Sequence, residues 1–249
     1  MSDPFWPLAL GGLGAIIGSF LATVAIRWPA GESALAGRSR CDGCGRVLRA
    51  RDLVPLASFL WARGRARCCG AAIDPLHLKV EAAAAIVGIT AGIVLPEPAG
   101  IVVAAFGWLL LLIAALDATE LWIPDALTGA AALGGVCAAL VLPPALDERL
   151  IGGAAGFASL WAVAFGYRRL RGREGLGGAD PKLFGAIGLW LGWRMLPPVL
   201  LLAALIGLGI VAFRVATGRR VAADDALPFG AYLALAAYPA LLAMLWLGP

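Results

Sequence analysis

Two aspartates stand at the polar edges of long apolar runs. Asp117 opens the segment DATELWIPD (117–125) directly after LLLLIAAL, and Asp180 sits in GGADPKLFG (177–185) directly before another apolar stretch. Asp180, followed by Pro181, has the form of a helix start, with a side-chain acceptor and then a proline at the first helical position. Asp125, after Pro124, reads the same way. Asp117 has no such explanation, because a carboxylate closing a helix opposes the macrodipole. An ionisable group at membrane depth points to function, although escape to interfacial water is open to a residue so near the edge. Two carboxylates a few Å apart cannot both ionise cheaply, so they share a proton and titrate as a unit. One accepts a proton from water while the other protonates a carbonyl oxygen or leaving amine, which is the chemistry of peptide hydrolysis. Other hydrolytic systems are poorly supplied. The only histidine is His77, which reads as an interfacial side chain at a span end.

These residues must be positioned by membrane helices. The chain has 249 residues, is 61% hydrophobic and 14% charged, with a mean hydropathy of +0.87, against about 25% charged residues in soluble domains. Composition therefore predicts an all-α, polytopic membrane bundle. The 33 glycines fit close packing between spans. Apolar runs at 8–26, 78–95, 100–116, 126–142, 150–167, 183–196, 197–213 and 228–248 give about eight spans, the split at Met195-Leu196-Pro197-Pro198 being the weakest. Between the first two lies a polar insert with ten of the twenty Lys and Arg. Counting alternate connections puts eighteen basic residues on one side and only Arg149 and Arg194 on the other. The positive-inside rule then makes the insert cytoplasmic, the two chain termini external, and both aspartates cytoplasmic-facing. Trp6, Trp28, Trp122, Trp193 and Trp246 fall near span ends, as an aromatic belt requires. The expected domains are 1–27, a first span; 28–79, the insert; and 80–249, the core. The net charge of +4 follows from this asymmetry and calls for no nucleic-acid partner.

Several separated motifs carry a family resemblance. Asp117 with Ile123-Pro124-Asp125, followed some sixty residues later by a glycine-rich Asp180-x-Lys182, resembles the type IV prepilin peptidases, membrane aspartyl proteases of the GxGD type. GSFLATVAIRWP (18–29) is similar to the family's GSFLNVVIxRLP, and DLVPLASFLWARGRARCCG (52–70) to its DNIPLLSWLxxRGxCxxCG. The resemblance covers nearly the whole chain. It implies that Asp117 and Asp180 are catalytic, with Asp125, Lys182, Gly177, Gly178 and Glu81 in supporting places. It further implies cleavage of the short leader from prepilin or pseudopilin N-terminal segments at the cytoplasmic face of a bacterial inner membrane, with membrane lipids around the protein and no cofactor for proteolysis. Full-length members also methylate the new N-terminus with S-adenosylmethionine.

The sequence departs from the pattern in two places. Ala179 replaces the second glycine of GxGD, so the turn there must suit alanine. Lys182 either pairs with one aspartate and lowers its pKa, or snorkels to the interface. The cysteines form a second chemical signal: Cys41-x-x-Cys44 opposite Cys68 and Cys69 resembles a zinc ribbon. Ala66 holds the place of the family's third cysteine, and adjacent Cys68 and Cys69 demand an unusual geometry around one Zn²⁺; free thiols are the other reading. Cys137 reads as a small buried residue. The alternative function is a proton- or ion-coupled transporter with Asp117, Asp180 and Glu81 as a relay. Transporters place such acids near the midplane, often in inverted repeats, and neither feature is present in this pattern.

Overall fold

The structure is a computed structural model that describes residues 4–34, 38–41, 43–49, 52–172, 175–219 and 225–248. It is helical, with no β-strand among the described residues beyond two isolated bridges. The helices are α1 (Phe5–Arg27), α2 (Ala57–Trp61), α3 (Pro75–Val94), α4 (Gly100–Glu120), α5 (Asp125–Ala138), α6 (Leu146–Arg171), α7 (Asp180–Leu191), α8 (Leu196–Ala216) and α9 (Phe229–Leu247). Six of them, α1, α3, α4, α6, α8 and α9, are long and apolar enough to cross a membrane. The protein is a multi-pass membrane protein. The other two apolar helices are short: α5 and α7 have 14 and 12 residues. At about 1.5 Å per residue they reach roughly 21 and 18 Å, less than the ~30 Å hydrocarbon core. The expected eight spans correspond to these six helices and to the two shorter apolar helices, α5 and α7. The weak split near Pro197 is a helix end at Leu191, a 3-10 turn at Trp193–Met195 and a new helix from Leu196.

The chain divides into two compact units, residues 1–112 and 113–249. In the first, α1 packs along α3. The close approach needs glycine: a Cβ at Gly88 would collide with the Leu10 carbonyl, and one at Gly18 would lie 2.8 Å from Ala84 Cβ. Trp108 buries its ring and donates Nε1–H to the Ala84 carbonyl at 2.9 Å. Helix α3 begins as its sequence dictates, with the Asp74 side chain accepting from Leu76 N and Pro75 at the start.

In the second unit, α7 packs on both α5 and α6, and α8 on α9. Gly152 and Gly156 of α6 meet the α7 backbone, where any Cβ would strike the Gly188 and Phe184 carbonyls. Helix α6 carries Asp147 and Glu148 in its first turn and Arg168, Arg169 and Arg171 in its last, matching the macrodipole, and ends at Gly172 with φ +67°. Arg149 is fully buried. Its guanidinium donates to the carbonyls of Pro144, Gly135, Leu189, Leu142 and Pro143 at 2.8–2.9 Å. Cys137 is exposed, not buried, because the buried stripe of α5 runs through Leu127, Thr128, Ala131, Gly135 and Ala138.

Candidate active site

Asp117 lies in the last turn of α4, which continues to Glu120, four residues beyond the expected end of the apolar run. The helix persists because Thr119 Oγ1 bonds back to Ala115 and the Asp117 carbonyl accepts from Leu121 N at 3.0 Å. Asp117 is 6% exposed, and its Oδ2 accepts from Ala231 N, at the start of α9, at 2.7 Å. Asp180 is 5% exposed and is the first residue of α7. It does not cap that helix. No side chain caps α7, and Asp180 Oδ2 instead accepts from the upstream Gly177 N at 3.0 Å. The carboxylate is thereby turned back over the GGAD turn.

The two acids converge on one point. A Cβ placed on Gly230 would lie 3.1 Å from Asp117 Oδ2 and 3.2 Å from Asp180 Oδ1, and would collide with Ile123 Cδ1. The two oxygens are therefore no farther apart than the sum of those distances, and both carboxylates border the same small space. Nothing in the sequence reading singled out Gly230. Its available signal was Pro228-Phe229-Gly230 at the head of the last apolar run, on the side that charge counting assigns to both aspartates.

The flanking residues divide by role. Lys182 pairs with Asp125 at 2.7 Å, not with either buried acid, and both partners are solvent-accessible. Ala179 sits at φ −84°, ψ −25°, a right-handed conformation open to alanine, so the lost glycine costs the turn nothing. Gly178 faces open space. Glu81 serves the N-terminal unit: it is 6% exposed, and its Oε2 accepts from Leu56 N at 2.7 Å, which fixes the start of α2.

The four cysteines of the insert form a compact cluster in the same N-terminal unit. All four sulfurs lie within 4.8 Å of one another, with Cys41–Cys69 at 3.6 Å, Cys44–Cys68 at 3.5 Å and Cys68–Cys69 at 3.9 Å. Four thiolates about 2.3 Å from a tetrahedral Zn²⁺ are about 3.8 Å apart, so the cluster fits that ion. Two similar turns create it. Arg40 bridges Val47, with Gly45 N bonded to the Cys41 carbonyl; Arg65 bridges Ala72, with Gly70 N bonded to the Ala66 carbonyl. Ala66 thus takes the structural place of Cys41, and Cys68 supplies the fourth sulfur from within the second turn. Burial pushes the Cys41 thiol up, but hydrogen bonding from Cys68 and from the Gly43 and Cys44 backbone outweighs it and brings it down to about 7. Cys68, bonded to Cys41 and Cys44, is pushed up to about 12.

The second unit thus holds a buried pair of carboxylates at the ends of two apolar helices, and the first unit a compact cluster of four thiols. Comparison with known proteins gives the family. Residues 13–95 match the Bacterial Peptidase A24 N-terminal domain, and residues 104–212 match the Type IV leader peptidase family. A Prepilin leader peptidase/N-methyltransferase of Dickeya chrysanthemi is 36% identical over 92% of this chain and 90% of its own length. Proteins of the same name from Burkholderia pseudomallei (strain 1026b) and Pectobacterium carotovorum subsp. carotovorum are 39% and 33% identical, over 83% and 93% of this chain and 67% and 91% of theirs. No solved structure matches. The chain belongs to the type IV leader peptidase family and is a peptidase.

Proposed function

We propose that this chain removes the leader from type IV prepilins or pseudopilins by aspartyl catalysis, with Asp117 and Asp180 as the acid–base pair, at the cytoplasmic face of a bacterial inner membrane. The observation that carries this reading is the convergence of both carboxylates on Gly230. Held close in a largely water-excluded place, the pair keeps one proton between them. The ionised member takes a proton from an attacking water, and the protonated member supplies one to the scissile carbonyl oxygen and then to the leaving amine. The N–H groups of Ala231 and Gly177 hold the two carboxylates in place, and Gly230, lacking a side chain, leaves room for the peptide. Asp125 and Lys182 neutralise one another at the rim.

A second step, N-methylation of the new N-terminus, is supported by the names of the relatives. S-adenosylmethionine supplies an electrophilic methyl group. A cavity of about 320 Å³ in the N-terminal unit, lined in part by Phe20, Arg27, Phe59, His77 and Glu81, offers aromatic, cationic and carboxylate groups suited to a donor of that size. In the same unit Cys41, Cys44, Cys68 and Cys69 would hold Zn²⁺ and tie the two turns of the insert together; metal analysis should find about one ion per chain, lost in Cys41→Ser.

Mass spectrometry of a pilin-type precursor tests both steps. Wild type should release the leader, and Asp117→Asn and Asp180→Asn, purified as folded protein, should each lose on the order of 10³-fold in rate. A product heavier by one methylene would mark methylation. A folded Asn variant that cuts at the wild-type rate removes that aspartate from catalysis.

A further inference from the structure

Beside the acid pair, the second unit contains an open groove of about 560 Å³ with a regular construction. Three helices line it, each with a single stripe at i, i+3, i+4 and i+7: the stripe starts at Asp125 in α5, at Leu150 in α6 and at Lys182 in α7. Such a stripe is one face of two helical turns. Helix α7 forms the floor, because it packs on both α5 and α6 while those two touch each other only sparingly. Small residues fill the middle of the stripes, with Gly129 in α5, Gly153 and Ala154 in α6, and Gly185 and Ala186 in α7; Gly153 and Gly185 let α6 and α7 pack together. At Gly129 a Cβ would meet no atom within 4 Å, so its missing side chain serves open space and not packing inside the unit.

We propose that this groove docks the apolar membrane-spanning helix of the substrate precursor, a reading that rests on the proposed leader-peptidase function. Three features single out that occupant. The lining is apolar except at one end, so it suits a segment immersed in lipid. A segment at that depth must satisfy its own backbone groups and is therefore helical, and the open position at Gly129 lets a helix backbone come close. The polar end is the Lys182–Asp125 pair, with contact at 2.7 Å and exposures of 47% and 73%. That end adjoins the acid pair. Lys182 follows Asp180 by two residues at the head of α7, and Asp125 follows by two the Ile123 whose side chain abuts Gly230. A peptide bond must leave the helical conformation to be cut, and the N–H and C=O groups it frees need partners. The Asp125 carboxylate and Lys182 ammonium provide an acceptor and a donor where the docked helix would unwind. The groove thus sets which bond reaches the carboxylates.

The test is cleavage of a precursor with its apolar segment intact, in phosphatidylethanolamine–phosphatidylglycerol vesicles, by wild type, Gly129→Leu and Gly209→Leu. Gly209 lies on α8 away from the groove, and a Cβ there also meets nothing within 4 Å; both changes raise helix propensity. Gly129→Leu should lower kcat/KM about tenfold or more, chiefly through KM, and Gly209→Leu should stay within about twofold of wild type. Benzoylphenylalanine in place of Ala132, within the groove, should form a photo-adduct with the precursor's apolar segment. If Gly129→Leu cuts as wild type does, if both leucine variants lose activity equally, or if the adducts form with lipid alone, the docking proposal is overturned. A wild type that leaves the precursor intact instead overturns the leader-peptidase reading beneath it.

Discussion

Gly230 shows how little space separates the two acids. A Cβ there would meet Ile123 and both carboxylates at once, so a single methyl group would crowd the acids or the peptide they act on. Gly230→Ala should lower kcat about 100-fold, the cost of misplacing reacting groups by about 1 Å, in protein that still purifies as a folded monodisperse species. Pairing it with Ile123→Ala removes the aliphatic clash and leaves the approach to the carboxylates. If that double variant recovers wild-type cleavage, crowding at Ile123 and not the acid pair is what matters. Lys182 illustrates a different point. Its charge is satisfied by Asp125, so it does not bias the protonation of the buried pair by direct contact.

Among the elements, the short helices α5 and α7 depend on one side chain. Both are shorter than a hydrocarbon core is thick, so their last carbonyls need partners within the protein. Arg149 answers this from α6, with all its bonds to backbone oxygens and its charge at the negative ends of both helices. Burying a guanidinium is costly, but leaving several carbonyls unbonded in an apolar interior costs more. Arg149→Leu should therefore destabilise the protein by about 2–4 kcal/mol, read from thermal unfolding in detergent. Arg149→Lys should recover only part, since an ammonium has three donors against five in a planar fork. An Arg149→Leu protein as stable as wild type would show that the carbonyls find other partners.

For the whole molecule, the charge asymmetry predicts sidedness. Eighteen of twenty Lys and Arg lie in segments assigned to one face, and the buried Arg149 leaves Arg194 as the only exposed cation on the other. In a background lacking the five native cysteines, Leu170→Cys should react with a membrane-impermeant maleimide only in inside-out vesicles, and Leu140→Cys only in right-side-out ones. Both positions are 87% exposed. The reverse labelling would invert the assignment and place the acid pair outside. What the sequence by itself determined was the class: apolar runs mark membrane helices because backbone polar groups have no other partner in lipid, and Asp117 stood out because helix chemistry could not account for it. The motif residues and four thiols were legible because their chemistry depends on residue type and local spacing. Tertiary structure alone decided that α5 and α7 are short helices, that Lys182 turns to Asp125, that Arg149 is interior, that Cys137 is not, and that Gly230 adjoins both acids. Those outcomes rest on which faces meet across segments distant in the chain, and hydropathy and local spacing carry no record of that pairing.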